Sequence, residues 1–220
     1  MIMKTNEELQ KDVQDAIKWE RLLNAAEVGV TVKDGVVTLT GTVDTFAKKE
    51  EAEKATKKVV GVKAVIEEIQ VKSFNESKKS DVEIATDVLK ALNASWQIPK
   101  DKIQVKVENG WVTLFGELDW HFQKEAAKAL LSNVSGIKWV TNSILIKSET
   151  IAKVEKEDVE NALRRNWALE NKNIEVSVSE NKVTLHGTVH SWVQKDEAAR
   201  IAWNAPGIVD VDNQLKVDYL

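Results

Sequence analysis

Gly35-Val36-Val37-Thr38-Leu39-Thr40-Gly41-Thr42-Val43 is the stretch that decides the fold. Val37, Leu39 and Val43 alternate with threonines, the period-two pattern of a strand with one buried face. Lys33-Asp34-Gly35 just before it carries the Asp-Gly signature of a tight hairpin, in which both central residues take positive φ. A shorter alternating run, Val28, Val30 and Val32, precedes that turn, so the two runs predict an antiparallel pair. Gly41 falls on the inward-facing parity, which predicts close approach of a helix where a side chain would not fit.

The stretch occurs three times. Gly110-Trp111-Val112-Thr113-Leu114-Phe115-Gly116-Glu117-Leu118 and Asn181-Lys182-Val183-Thr184-Leu185-His186-Gly187-Thr188-Val189 align with it without gaps. Each has its own preceding run, Ile103, Val105, Val107 and Ile174, Val176, Val178. The third turn, Glu180-Asn181-Lys182, places Asn-Lys where the others have an Asx-Gly pair, at a slight cost. Twenty residues after each strand glycine comes another, at Gly61, Gly136 and Gly207. Self-similarity at a fixed period defines a tandem array.

Working outward, Leu9, Val13 and Ile17 fall four apart, as do Ile84, Val88 and Leu92, which predicts an amphipathic helix opening the copy. A second helix is predicted at about 45–60, 120–135 and 191–205. Its buried face would carry Ala52, Ala55 and Val59, then Ala127, Leu130 and Val134, then Ala198, Ile201 and Ala205, and it would end on the repeated glycine as a C′ residue. A third strand, about 62–72 in the first copy, closes the unit. A strand, crossover helix and strand make a right-handed βαβ step, so the last strand runs parallel to the second. The fold class is therefore α+β: three tandem αββαβ modules at 1–74, 75–149 and 150–220, each a three-stranded mixed sheet with two helices on one face. Residues 73–81 and 148–156 are short, polar and charged, hence linkers. Modules of about 70 residues bury only some 60% of their unfolded surface, which favours packing between them.

Composition excludes several functions. The 220 residues are 43% hydrophobic and 30% charged, with a formal net charge of −4, so the basic excess of a nonspecific nucleic-acid binder is missing. No two glycines are three apart, which removes the Gly-x-x-Gly nucleic-acid clamp. Cysteine is absent, and with it disulfides and thiolate chemistry. His186 and His190 sit four apart without further ligands and read as surface histidines, so neither a metal nor a cofactor is expected. No catalytic constellation assembles, and the chain reads as a binding protein, not an enzyme. No stretch reaches the roughly 18 apolar residues of a spanning helix. The N-terminus lacks a signal-peptide core, which predicts a cytoplasmic chain, or a periplasmic one already processed.

The leading helix, the Gly-x-Val-Thr-Leu-x-Gly-x-Val strand, the alanine-bearing helix and the Gly-Val-x-x-Val strand resemble the BON domain, named for bacterial OsmY and nodulation proteins. The resemblance covers nearly the whole chain, three times over. It implies the αββαβ fold, no catalytic residues and a role in osmotic or envelope stress. Family members have been proposed to bind phospholipid, and one is a cytoplasmic potassium-binding protein with an added peptidoglycan-type module that this chain lacks. The expected function is non-enzymatic binding of phospholipid or the cell envelope. The alternatives are a potassium-ion-responsive module and a scaffold whose three copies supply avidity to protein partners.

Candidate contact residues follow from recurrence. Phe46, His121 and Trp192 each stand five residues after the strand glycine, at the entrance to the second helix. With Trp120 and Phe122 they are expected to form an aromatic rim, Trp120 and Trp192 being solvent-exposed. Tryptophan suits a membrane interface because one end is apolar and the other wet. Ordinary packing between modules explains the same letters. Lys49, Lys124 and Lys195 also recur, against the helix macrodipole, and suit a lipid phosphate or a solvated face of local ion pairs. Trp19, Trp96 and Trp167, towards the end of the first helix, are expected to be structural anchors.

Overall fold

The computed structural model describes residues 4–72, 79–147, 155–166, 169 and 173–218. The first module runs α1 (Asn6–Trp19), β1 (Val28–Lys33), β2 (Val36–Val43), α2 (Phe46–Lys57) and β3 (Ala64–Val71). The second runs α3 (Asp81–Ala94), β4 (Ile103–Glu108), β5 (Trp111–Leu118), α4 (His121–Leu131) and β6 (Trp139–Ile146). The third runs α5 (Lys156–Arg164), β7 (Ile174–Ser179), β8 (Lys182–Val189), α6 (Trp192–Trp203), β9 (Asp210–Asn213) and β10 (Lys216–Val217). The expected linkers fall largely on 73–78 and 148–154, outside the described residues, while Asp81 and Lys156 already belong to helices.

Each sheet is mixed, with the long strand in the middle. β1 pairs antiparallel with β2 from Val28↔Gly41 to Lys33↔Val36, and β2 pairs parallel with β3 from Val36↔Ala64 to Val43↔Val71. The same pairing joins β4 to β5 and β7 to β8. In the third module the last strand is split into β9 and β10, both parallel to β8, and the amide of Gln214 bridges the gap by donating to the Leu185 carbonyl at 2.9 Å.

The predicted apolar stripes form the cores. Leu9, Val13 and Ile17 of α1 pack with Val37, Leu39 and Val43 of β2 and with Ala52 and Ala55 of α2. Ile84, Val88 and Leu92 are buried on α3 in the same way. Capping boxes start both helices: Thr5 with Glu8, and Ser80 with Glu83. Hydrogen bonds from Ser80, the backbone one foremost, hold the Glu83 carboxyl below its ordinary range.

Four expectations need correction. Gly41 meets no α-helix: a Cβ there would collide with the carbonyl oxygen of Glu27, which ends a short 3-10 helix (Ala25–Glu27) just before β1, and its φ is +127°. The second helices end early, at Lys57, Leu131 and Trp203, so the repeated glycines close a following turn instead of capping the helix. On α4 the deeply buried residue is Leu131 and not Leu130, because the helix presents the next position to the core. In the third hairpin the loop is Glu180-Asn181, with Ser179 paired to Lys182, and Glu180 takes φ +55° in place of the expected Asn-Lys turn.

Two compact units divide the chain, residues 3–118 with 122–145 and residues 119–121 with 146–220. In the first of these, modules one and two pack directly. Phe46 sets its ring edge-on to Trp139 at 6.1 Å, and Glu50 reaches Ser132 and Lys128, both at 2.8 Å.

Candidate functional site: the helix entrances and the exposed tryptophans

Phe46, His121 and Trp192 are each the first residue of a helix, as their common offset requires. Thr45 and Ser191 cap α2 and α6 by accepting from the amides of Lys48 and Gln194. The shared backbone position does not give a shared environment. Phe46 is buried against Trp139. His121 stacks face to face on Trp203, 4.1 Å between centroids. Trp192 is half-buried, with the Lys195 ammonium 5.5 Å from its ring. Beside His121, Trp120 and Phe122 are exposed. The five aromatics therefore do not form one rim; the outward-facing pair belongs to the second module.

Two of the three recurring lysines, Lys49 and Lys195, turn inward. Lys49 donates to the Ile69 carbonyl at 2.8 Å and pairs with Glu67 at 2.7 Å, its side chain only 13% exposed. Lys195 donates to the Leu215 carbonyl at 2.6 Å. Both tie the second helix to the third strand. This explains a lysine near a helix N-terminus, since the strand carbonyl offsets the unfavourable macrodipole. The opposite end of the tie recurs as Glu67, Asn142 and Asn213. Asn142 donates to the Lys124 carbonyl and Asn213 to the Lys195 carbonyl, both at 2.8 Å, and the side-chain oxygens of all three accept from amides two residues on. Substituting Asn142→Ala leaves the Lys124 carbonyl without this donor and is expected to cost about 1–2 kcal/mol in urea unfolding. A variant as stable as the parent would remove this role. Nearby, Lys48 sits between Asp44 (2.9 Å) and Glu27 (3.6 Å), and the hydrogen bond with Asp44 raises its ammonium above the ordinary lysine range.

The first-helix tryptophans behave opposite to expectation. Trp19 is 85% exposed and Trp96 is 89% exposed; Trp167 lies outside the described residues. The anchoring place is filled by residues just beyond: Leu23, packed on the first core, and the buried Ile98 and Leu169. After the helix ends, the chain turns this later aliphatic residue inward, which leaves the indole outside. On α3 the exposure continues at Val82 and Leu89, seven apart on one helical stripe and 75% and 43% exposed, and Trp96 follows two residues beyond the helix end. The 82-89 spacing carries this signal, but the stronger Ile84-Val88-Leu92 stripe masks it.

The outer sheet face of the second module is also aromatic. Trp111 is exposed and lies 6.3 Å from Trp139. Among the described residues no group of histidines and carboxylates is placed to hold a metal, and no helix is long and apolar enough to cross a membrane.

Fold and surface define a class: an array of small α+β modules that present aromatic side chains. The BON domain model matches residues 5–73, 80–148 and 155–219, and the chain belongs to that family. Osmotically-inducible protein Y of Escherichia coli (strain K12) is 29% identical over 129 residues, covering 57% of this chain; the match spans 64% of that relative's length. Among solved structures, CdsD, a structural protein of the type III secretion system of Chlamydia trachomatis, aligns over 94% of this chain and 91% of its own, at 17% identity and a TM-score of 0.26. The PrgH periplasmic domain aligns over 93% and 98%, at 11% identity and a TM-score of 0.24.

Proposed function

We propose that this protein is a non-enzymatic, osmotic-stress-related binding protein that associates with phospholipid surfaces through the exposed tryptophans at and just beyond the ends of its leading helices. The carrying observation is the nearly complete exposure of Trp19, the last residue of α1, and of Trp96, two residues past the end of α3, each close to a junction where Leu23 or Ile98 does the packing. A large apolar side chain held almost wholly in water contributes little to the fold. Indole is suited to the headgroup region, apolar on its body and wet at its N–H. Val82 and Leu89 extend the contact along α3, as in a helix lying in the interface plane. Two weak contacts on a single chain gain affinity through avidity. Trp120 and Phe122 remain candidates for the same surface, while Phe46, Lys49 and Lys195 are occupied within the protein. The proposal concerns a membrane surface in the cytoplasm or the periplasm alike.

Flotation with anionic and zwitterionic vesicles tests it. The protein is expected to float, and Trp19→Ser with Trp96→Ser to lower partitioning about tenfold or more per residue, from the roughly 1.5–3 kcal/mol of burying a large apolar side chain. Far-UV circular dichroism should stay unchanged, since exposed positions shift stability by about 0.5 kcal/mol at most. Full flotation of the double variant would remove these residues from the contact.

A further inference from the structure

Between the first two modules, inside the larger unit, lies a cleft of about 1150 Å³. Pockets that take small molecules run to roughly 300–1,000 Å³, so this one has room for a sizeable ligand. Its floor is apolar, from Ile69 and Val71 of β3, Ile84 of α3, and the indoles of Trp111 and Trp139. Trp111 is 57% exposed although it sits in the central strand of its sheet.

The charges of the lining do not cancel. Four lysines face three carboxylates there, in a protein whose formal net charge is −4. Every carboxylate is engaged: Asp44 with Lys48 (2.9 Å), Glu67 with Lys49 (2.7 Å), and Asp81 with the amides of Asn109 (2.7 Å) and Gly110 (2.9 Å). Lys79 is held by Asp87 at 2.6 Å. Two cations remain. Lys138 donates to the neutral carbonyl of Asn109, and Lys72 makes no ion pair among the described residues.

We propose that this cleft binds a single-chain anionic amphiphile, a carboxylate or phosphate head held by Lys72 and Lys138 with its apolar chain against Trp111 and Trp139. Charge complementarity selects an anion, and the indole floor selects one with a hydrophobic body. The residues are distinct from Trp19 and Trp96, so the site does not depend on the membrane-surface reading.

Isothermal titration of the full chain with monomeric dodecyl phosphate, below its micelle concentration, tests the site. Saturable one-to-one binding is expected, with inorganic phosphate inert and neutral dodecyl maltoside about tenfold weaker or worse. Lys72→Ala with Lys138→Ala should weaken dodecyl phosphate about tenfold, as should Trp111→Ala, all at exposed positions that leave the fold intact. The Trp19→Ser, Trp96→Ser protein should bind as the parent does. No saturable heat, equal affinity for the neutral amphiphile, or unchanged binding by the lysine double variant would overturn the proposal. Loss of binding in the Trp19, Trp96 variant would also overturn it, by assigning the amphiphile to the helix tryptophans.

Discussion

Gly116→Ala is expected to unfold the second module under conditions where the parent is fully native. Gly116 pairs with Ile103 across the β4–β5 ladder and holds φ at +138°. A Cβ at this position would overlap the carbonyl oxygen of Lys102 and stand 3.3 Å from the Cα of Ile103. Both obstacles are backbone, so relief requires parting the strands. A non-glycine residue in this region costs about 1–3 kcal/mol before any clash, and the overlap adds to it. A loss of about 3 kcal/mol or more compares with the whole stability of a domain this small. Urea unfolding followed by far-UV circular dichroism should show an early transition absent from the parent. Gly29→Ala is the control, because its Cβ would meet the Thr40 hydroxyl, a group that can rotate away; its expected cost is below about 1 kcal/mol. Coincident curves for Gly116→Ala and the parent would refute the account. Gly41 and Gly187 stand under the same constraint, against the carbonyls of Glu27 and Asn173.

Those three glycines mark where the letters speak and where they fall silent. Their recurrence on the inward parity shows that a side chain is forbidden there. The forbidding neighbour cannot be read, because it is a carbonyl from just before the partner strand and not a side chain with its own periodicity. The alternating valines and the four-apart helical stripes were legible for the opposite reason. Each records a whole face of a regular element against one core, so Leu39, Leu114 and Leu185 are all buried where alternation placed them. Hairpin register was equally legible for Asp34-Gly35 and Asn109-Gly110, whose positive φ values are those of the expected turn. The candidate site was not. Recurrence says that Lys49, Trp96 and Phe46 have a job in common with their counterparts, but it does not say whether that job faces in or out. Lys49 recurs because a strand carbonyl waits for it. Trp19 and Trp96 stand near the same junction, two repeat positions apart, and both point to solvent. What separates the two cases is the chain path after each helix, which brings Leu23 or Ile98 into the core and depends on no local pattern.

Phe46→Ala is expected to destabilise the larger unit by about 3–5 kcal/mol, the usual cost of deleting a buried phenyl ring. Phe46 is 3% exposed, and the ring it meets belongs to Trp139 of the next module. The substitution would therefore remove a contact that joins two modules, along with burial inside one. The Lys49 ammonium stands 4.9 Å from the centre of the Trp139 ring, and Trp111 lies 6.3 Å from it, so the indole would lose one of two aromatic neighbours and keep its cation. Near-UV circular dichroism should lose part of its tryptophan signal, and urea unfolding should begin earlier, while Phe46→Leu restores most of the stability by refilling the volume. Vesicle flotation per folded molecule should not change, because the residue faces Trp139 and not solvent. The opposite pattern, parental stability with flotation lost, would return Phe46 to the lipid-facing surface that its sequence position suggested. His121 and Trp192 start their helices at the same offset, yet one stacks on Trp203 and the other stays half-exposed. The helix entrance is thus a position whose backbone is common to the repeats and whose side chain has specialised, module by module: Phe46 meets Trp139 of the second module, and His121 meets Trp203 of the third.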